Sequence, residues 1–278
     1  MHHKGNIQKF LSIFLLVFIP FFIIANFTLL KSKRDLAAHF TSDFIPKDQY
    51  LSEKSFVFIL YANEANYPAC QKNLTSIFHQ NYDSYRVIFL ATENVQSYLV
   101  ELKKIAAIEN KSHLFTPQVT SEVLPTIATF KEAIETCKDE EIIIQMECND
   151  WLAHENVLTS LNAIYTSSDD IWLTYSQYLE YPSYKKGSSK PKFRSLLRNR
   201  TSNRIPWLSA PFKTFYAGLF KQINPDSKFS FHRPLSQSVL DLYMLPLAKM
   251  SKNHIRYIED ILYIHKSNPI SKLPQKTS

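Results

Sequence analysis

Glycine is nearly missing from this chain. It occurs three times in 278 residues, where average usage of about 7% predicts roughly 19. That scarcity excludes the glycine-rich phosphate loops. Neither G-x-G-x-x-G nor G-x-x-x-x-G-K-[ST] is present, so any nucleotide must be held in another way. Cysteine is equally sparse. Cys70, Cys137 and Cys148 form an odd set without C-x-x-C or His spacing, which argues against both a disulfide framework and a zinc site. The net charge of +7 comes with no nucleic-acid-binding motif, so no nucleic-acid partner is expected. A hydrophobic content of 45% with 14% aromatics excludes a disordered chain, and the length suits one sizeable domain with room for a subdomain.

The longest uncharged stretch is Phe10–Leu30, about 21 residues with Pro20 inside it. At 1.5 Å per residue it is long enough to span a bilayer as a transmembrane helix, and membrane helices tolerate proline. A cleaved signal peptide is the alternative, although its apolar core runs to only about 7–15 residues. Lys4 and Lys9 precede the run and Lys31, Lys33 and Arg34 follow it, so flanking charge leaves the orientation open. The expected organisation is a flank over 1–9, a span over 10–30, a polar stalk over 31–54, a folded domain over 55–270 and a tail over 271–278. The chain is thus expected to be a single-pass membrane protein of open oligomeric state.

Beyond the stalk, hydrophobic runs alternate with helical spacing. Phe56–Tyr61, Tyr85–Ala91, Ile142–Met146 and Ile171–Tyr175 read as buried strands. Pro68–Gln80, Val95–Glu109, Leu124–Cys137, Glu155–Tyr165, Phe212–Ile223 and Leu235–Met250 read as helices. Arg256–His265 suits either a late strand or a short helix. Ser183–Asn203, rich in Lys, Arg and Ser, reads as a long loop of the kind that closes over ligands. The alternation predicts an α/β fold, a mixed and mostly parallel sheet flanked by helices.

One segment stands out. The strand at Ile142 runs into a polar knot of Glu147, Cys148, Asn149 and Asp150, followed by Trp151-Leu152. Open α/β sheets bind ligands at the carboxyl ends of their strands, and oxygen ligands there suit a hard cation that bridges phosphates. The competing reading makes Asp150 the N-cap of a helix beginning at Trp151. Trp151 suits packing or sugar stacking. Lys213 and Arg204 suit phosphate contact or plain surface charge.

Four blocks in order carry a resemblance: Phe56–Leu90, with F-V-F-I-L-Y-A-N-E and N-L-T-S-I-F-H-Q-N-Y-D-S-Y-R-V-I-F-L; Glu147–Leu158, E-C-N-D-W-L-A-H-E-N-V-L; Ile171–Ser183, I-W-L-T-Y-S-Q-Y-L-E-Y-P-S; and Pro211–Phe220, P-F-K-T-F-Y-A-G-L-F. Together they resemble family 2 glycosyltransferases of the GT-A (Rossmann-like) fold, in particular a bacterial subgroup whose acidic motif reads D-G-D-D-W-L. The resemblance implies a nucleotide-diphospho-sugar donor, a divalent metal (Mn or Mg) and transfer of a sugar to an acceptor. It implies donor contacts from Tyr61, Asn63, Glu64 and Glu147, with Thr92 and Glu93 where relatives carry an acidic pair. It places a metal on Glu147, Asn149 and Asp150, acceptor contacts on Trp151, Tyr175 and Gln177, and the base near Asp241.

The chain departs from the motif in three ways. Asn149 keeps an oxygen but loses a charge, the acidic pair after the second strand is gone, and Leu240 and Lys249 stand where relatives carry acids. Two functions therefore remain open: a glycosyltransferase, or an inactive relative that keeps the fold as a tethered binding or scaffold protein.

Overall fold

The computed structural model describes residues 53–61, 69–92, 96–120, 126–187, 210–223, 245–251 and 253–266. Among them are nine strands and six α-helices. In chain order these are β1 (Phe56–Tyr61), α1 (Cys70–Phe78), β2 (Tyr85–Thr92), α2 (Gln96–Ile108), β3 (Phe115–Thr120), α3 (Ile127–Glu135), β4 (Ile142–Glu147), β5 (Trp151–Leu152), α4 (Val157–Thr166), β6 (Leu173–Tyr181), β7 (Lys185–Lys186), β8 (Lys213–Tyr216), α5 (Ala217–Lys221), α6 (Leu245–Met250) and β9 (Ile255–Lys266).

All nine strands join one sheet in the order β3-β2-β1-β4-β8-β6-β9-β5, with β7 beside β6. The first four are parallel. β8 is antiparallel to β4 and to β6, β6 and β9 are parallel, and β5 is antiparallel to β9. The sheet is therefore mixed, and its mostly parallel character is confined to the β3-β2-β1-β4 side. β1 is buried along its whole length, F-V-F-I-L-Y, as a strand covered on both faces must be. Connections from β1 to β3 run one way across the sheet and the step from β3 to β4 runs the other. Right-handed crossovers then put α1 and α2 on one face and α3 on the other.

Residues Cys148–Asp150 separate β4, in the middle of the sheet, from β5, at its far end. So short a link forces the sheet to curl until its last edge returns to the carboxyl end of β4. The helix expected to begin at Trp151 is absent for this reason. Trp151 and Leu152 pair with Ile264 and Tyr263, and α4 starts only at Val157 after Asn156. The helix expected over Phe212–Ile223 is likewise split. Lys213–Tyr216 pairs with both β4 and β6, and only Ala217–Lys221 coils. Lys213, read from sequence as phosphate-facing or surface charge, is fully buried in that strand. The alternating pattern after Arg256 resolves as a strand, β9.

The expected single-pass membrane placement is corrected. No helix among the described residues is long and apolar enough to cross a membrane, and the run Phe10–Leu30 on which it rested lies outside the described residues.

Where β8 enters the core, three hydroxyls meet. The Thr214 Oγ1 lies 2.7 Å from the Tyr165 hydroxyl and 2.6 Å from the Thr174 Oγ1. All three residues are buried. Thr214→Val keeps the shape but removes the shared hydroxyl, leaving the Tyr165 hydroxyl only its contacts with Thr174, and should cost about 1 kcal/mol. A urea midpoint unchanged from the native chain would show that the network contributes nothing.

Candidate active site

Strand order reverses direction at β1 and β4, and α/β sheets bind ligands in the crevice outside such a switch point. Tyr61 and Glu147 end these two strands and are register partners. The Tyr61 hydroxyl donates to the Glu147 Oε1 at 3.4 Å. Between β4 and β5 the chain makes one tight turn. The Asp150 N–H donates to the Glu147 carbonyl at 3.1 Å, and the Cys148 N–H to the Tyr61 carbonyl at 3.2 Å.

α1 clamps this turn with a row of polar side chains. The Asn73 Nδ2 donates to the Glu147 carbonyl at 3.2 Å and to the Asp150 carbonyl at 2.8 Å. The Ser76 Oγ accepts the Leu152 N–H at 3.1 Å. Gln80 donates to the His154 carbonyl and accepts the Leu158 N–H. Asn73 and Ser76 fall on one face of the helix and Gln80 lies just past its end, so α1 and the residues that close it hold the segment from the end of β4 to the start of α4.

Asp150 is 2% exposed. The Tyr263 hydroxyl donates to its Oδ2 at 2.7 Å, the Lys266 N–H donates to its Oδ1 at 2.8 Å, and the His265 Nδ1 lies 3.0 Å from Oδ2. Both oxygens of this expected metal ligand are therefore occupied by β9. Asn149 is the reverse case: buried, with its Oδ1 lacking any donor. A buried acceptor in that state is what a cation or a ligand N–H would satisfy. Glu147 is half-buried beside it. These residues fit a divalent ion in part, through two oxygens and one charge, so most of its shell would have to come from a diphosphate. Among the described residues no group of three or more His, Cys, Asp or Glu side chains forms a metal cluster.

Burial opposes charge on His265, but the Asp150 hydrogen bond and the charges of Asp150, Glu147 and Glu180 outweigh it and hold its pKa above the ordinary value. For Cys148, burial and then the adjacent Cys70 thiol push the thiol far up, so it remains a protonated packing group. The Tyr175 hydroxyl is pushed up to about 12 by burial and then by Tyr257.

The other expected residues divide. Trp151 lies at the site, its ring 5.2 Å from that of Tyr181. Thr92 is buried at the end of β2. Tyr175 and Gln177 sit earlier along β6, where Tyr175 packs on Tyr257 and the Gln177 side chain accepts the Tyr178 N–H. Asn63, Glu64, Glu93 and Asp241 lie outside the described residues. Asn73, Tyr263 and His265 were missed in the sequence. The signals were a polar residue inside the apolar pattern of α1, and Tyr263 and His265 alternating along β9.

No family model and no curated protein matches this sequence. Solved structures do match in fold. S. aureus TarS residues 1–349 in complex with UDP-GlcNAc superpose with a TM-score of 0.56 at 14% identity, over 79% of this chain and 61% of that one. The same protein in complex with UDP gives 0.54 at 15% identity, over 77% and 61%. The mannosyltransferase PcManGT from Pyrobaculum calidifontis, in complex with GDP-Man and Mn2+, gives 0.54 at 12% identity, over 87% and 65%. The chain thus has a GT-A-like glycosyltransferase fold and spans about three fifths of the length of these proteins.

Two outcomes are expected for the Asp150 anchor. Asp150→Ala leaves the buried Tyr263 hydroxyl without its acceptor and removes the partner of the half-buried His265 and of the Lys266 N–H, and should cost about 1–3 kcal/mol in urea unfolding. The raised His265 pKa adds stability that is complete below its unfolded value of about 6.5 and is lost as pH rises through the higher folded value. The melting temperature should therefore fall over that window, and His265→Gln should flatten the profile. A native profile with no slope there would contradict the pairing.

Proposed function

We propose that residues 55–270 form a family 2-type glycosyltransferase domain that uses a nucleotide-diphospho-sugar donor. The observation that carries this reading is the pairing of Tyr61 with Glu147 at the switch point, beside a buried acceptor oxygen on Asn149 that lacks a donor. A fold shared with proteins crystallised with UDP-GlcNAc and with GDP-Man supports it. The altered turn E-C-N-D-W-L then stands in the place of the subgroup's D-G-D-D-W-L.

In this reading the donor lies across the carboxyl ends of β1, β2 and β4. Tyr61, Asn63, Glu64, Thr92 and Glu93 meet its nucleoside. Glu147 and Asn149 offer oxygens to a divalent ion, which would neutralise charge on the leaving diphosphate. Asp150 contributes by fixing the turn. An acceptor hydroxyl oxygen bonds to the anomeric carbon, and the bond from that carbon to the diphosphate oxygen breaks with its electron pair leaving on the nucleotide. The hydroxyl proton passes to a base, for which Asp241 is the candidate. Trp151 stands where an acceptor enters, with Tyr175 and Gln177 further along β6.

A second reading has one specific support. With Asp150 engaged by β9, Glu147, which accepts from the Tyr61 hydroxyl, is the turn's one other carboxylate, which suits a relative that binds without turning over.

Thermal melting against UDP, GDP, CDP and their sugar conjugates, with and without manganese, tests both. A ligand at 100 times its Kd adds about 2.7 kcal/mol. One nucleotide should raise the melting temperature, more so with manganese, and Glu147→Gln should abolish the manganese increment. Binding without release of nucleotide from the matching sugar conjugate would favour the second reading. No shift with any nucleotide would overturn the first.

A further inference from the structure

One residue of α1 breaks the pattern of its buried face. Cys70, Leu74, Ile77 and Phe78 share that face with Asn73, which is fully buried. Asparagine is a poor residue for a helix interior, and a buried amide is costly unless its groups are bonded. Leucine would suit both the helix and the core better, so the bonds of the amide must account for its place. Its two N–H groups reach main-chain carbonyls at the two ends of one turn, Glu147 at 3.2 Å and Asp150 at 2.8 Å. Its Oδ1 stays buried without a donor. The reverse orientation of the amide would set that oxygen against both carbonyls, so the two bonds fix which way it points.

Those bonds close the turn from the helix side. The Asp150 N–H already donates to the Glu147 carbonyl, and Asn73 ties that carbonyl to the one of Asp150 itself. Ser76 and Gln80 act further along, at Leu152, His154 and Leu158, and β9 grips the Asp150 side chain. The side-chain oxygens that the turn leaves for an ion belong to Glu147, at its start, and Asn149, inside it. The Asn149 Oδ1 is buried and lacks a donor. The directions of both follow from the backbone that carries them. A small divalent ion such as magnesium holds its oxygens at about 2.1 Å in a demanding geometry. An ion with so few protein oxygens depends on each of them being well aimed.

We propose that Asn73 is a positioning residue of the donor site. It holds the turn from Glu147 to Asp150 closed, so that the oxygens of Glu147 and Asn149 face one ion, and it thereby sets how strongly a divalent ion strengthens nucleotide binding. The role rests on the glycosyltransferase reading, since the ion matters here as the partner of a donor diphosphate.

Calorimetry on the full chain tests it, with UDP and GDP titrated in the presence and absence of manganese. Asn73→Leu fills nearly the same space without the donors, and Asn73→Ala, less demanding to pack, repeats the measurement. Both should weaken manganese-dependent nucleotide binding about 10–100-fold, the loss usual when a group that orients metal ligands is removed. Nucleotide binding without manganese should be unchanged. Leu74→Ala, a truncation on the same buried face, should lower the urea midpoint and leave the manganese increment as in the native chain. The same loss of increment in Leu74→Ala would overturn the proposal. So would an equal loss of binding with and without manganese, since either result would mark a general loosening of the fold. A native chain that binds neither nucleotide nor manganese would sink the transferase reading, and the positioning role with it. A native chain that binds both, with Asn73 variants that match it, would sink the positioning role alone.

Discussion

The carboxylate of Asp150 holds together two parts of the sheet that the strand order sets far apart. It belongs to the turn leaving β4, at the centre, and all of its donors come from β9, beside the last strand. A buried carboxylate without those donors would be far too costly to keep. The curl of the sheet and the charge of Asp150 are thus one arrangement. α1 completes it from the other side, because Asn73 and Ser76, with Gln80 just past the helix end, take up the backbone groups that such a tight reversal leaves unpaired. The surface that faces a ligand is built upon a turn held from two directions.

Much of this was legible in the residues. The runs F-V-F-I-L-Y and Y-R-V-I-F-L-A are strands because, Arg86 apart, they are buried on both faces, and the polar knot at Glu147 falls at a strand end as expected. What escaped was set by distant partners. Trp151-Leu152 carries no strand signal of its own; it is extended because Tyr263 and Ile264 lie alongside. Lys213–Tyr216 reads as the start of a helix from its spacing, yet sits between β4 and β6. Nor could the pattern tell that Asp150 turns toward β9 while Asn149 keeps an unanswered oxygen. That difference depends on Tyr263 and His265, more than a hundred residues away.

The functional argument follows from this division of labour. An acidic turn can spend its charge on a ligand or on its own fold. Here one carboxylate, Glu147, stays half-exposed beside Tyr61, while another is absorbed into the architecture. Outside the turn Lys72 covers the Trp151 ring, so the region around β5 presents little negative charge to attract a cation.

The three-residue link between β4 and β5 also governs which changes in length this chain could have survived. Outer connections of an α/β sheet absorb added residues with little consequence, since each doubling of a flexible loop costs only about 0.6 kcal/mol. The link Cys148–Asp150 has no such freedom. One residue more would carry Trp151 past Ile264 and turn each side chain of β5 to the opposite face, taking the Asp150 carboxylate out of reach of β9. In a lineage of such proteins the identities of Cys148 and Asn149 could drift, while the number of residues in the link could not.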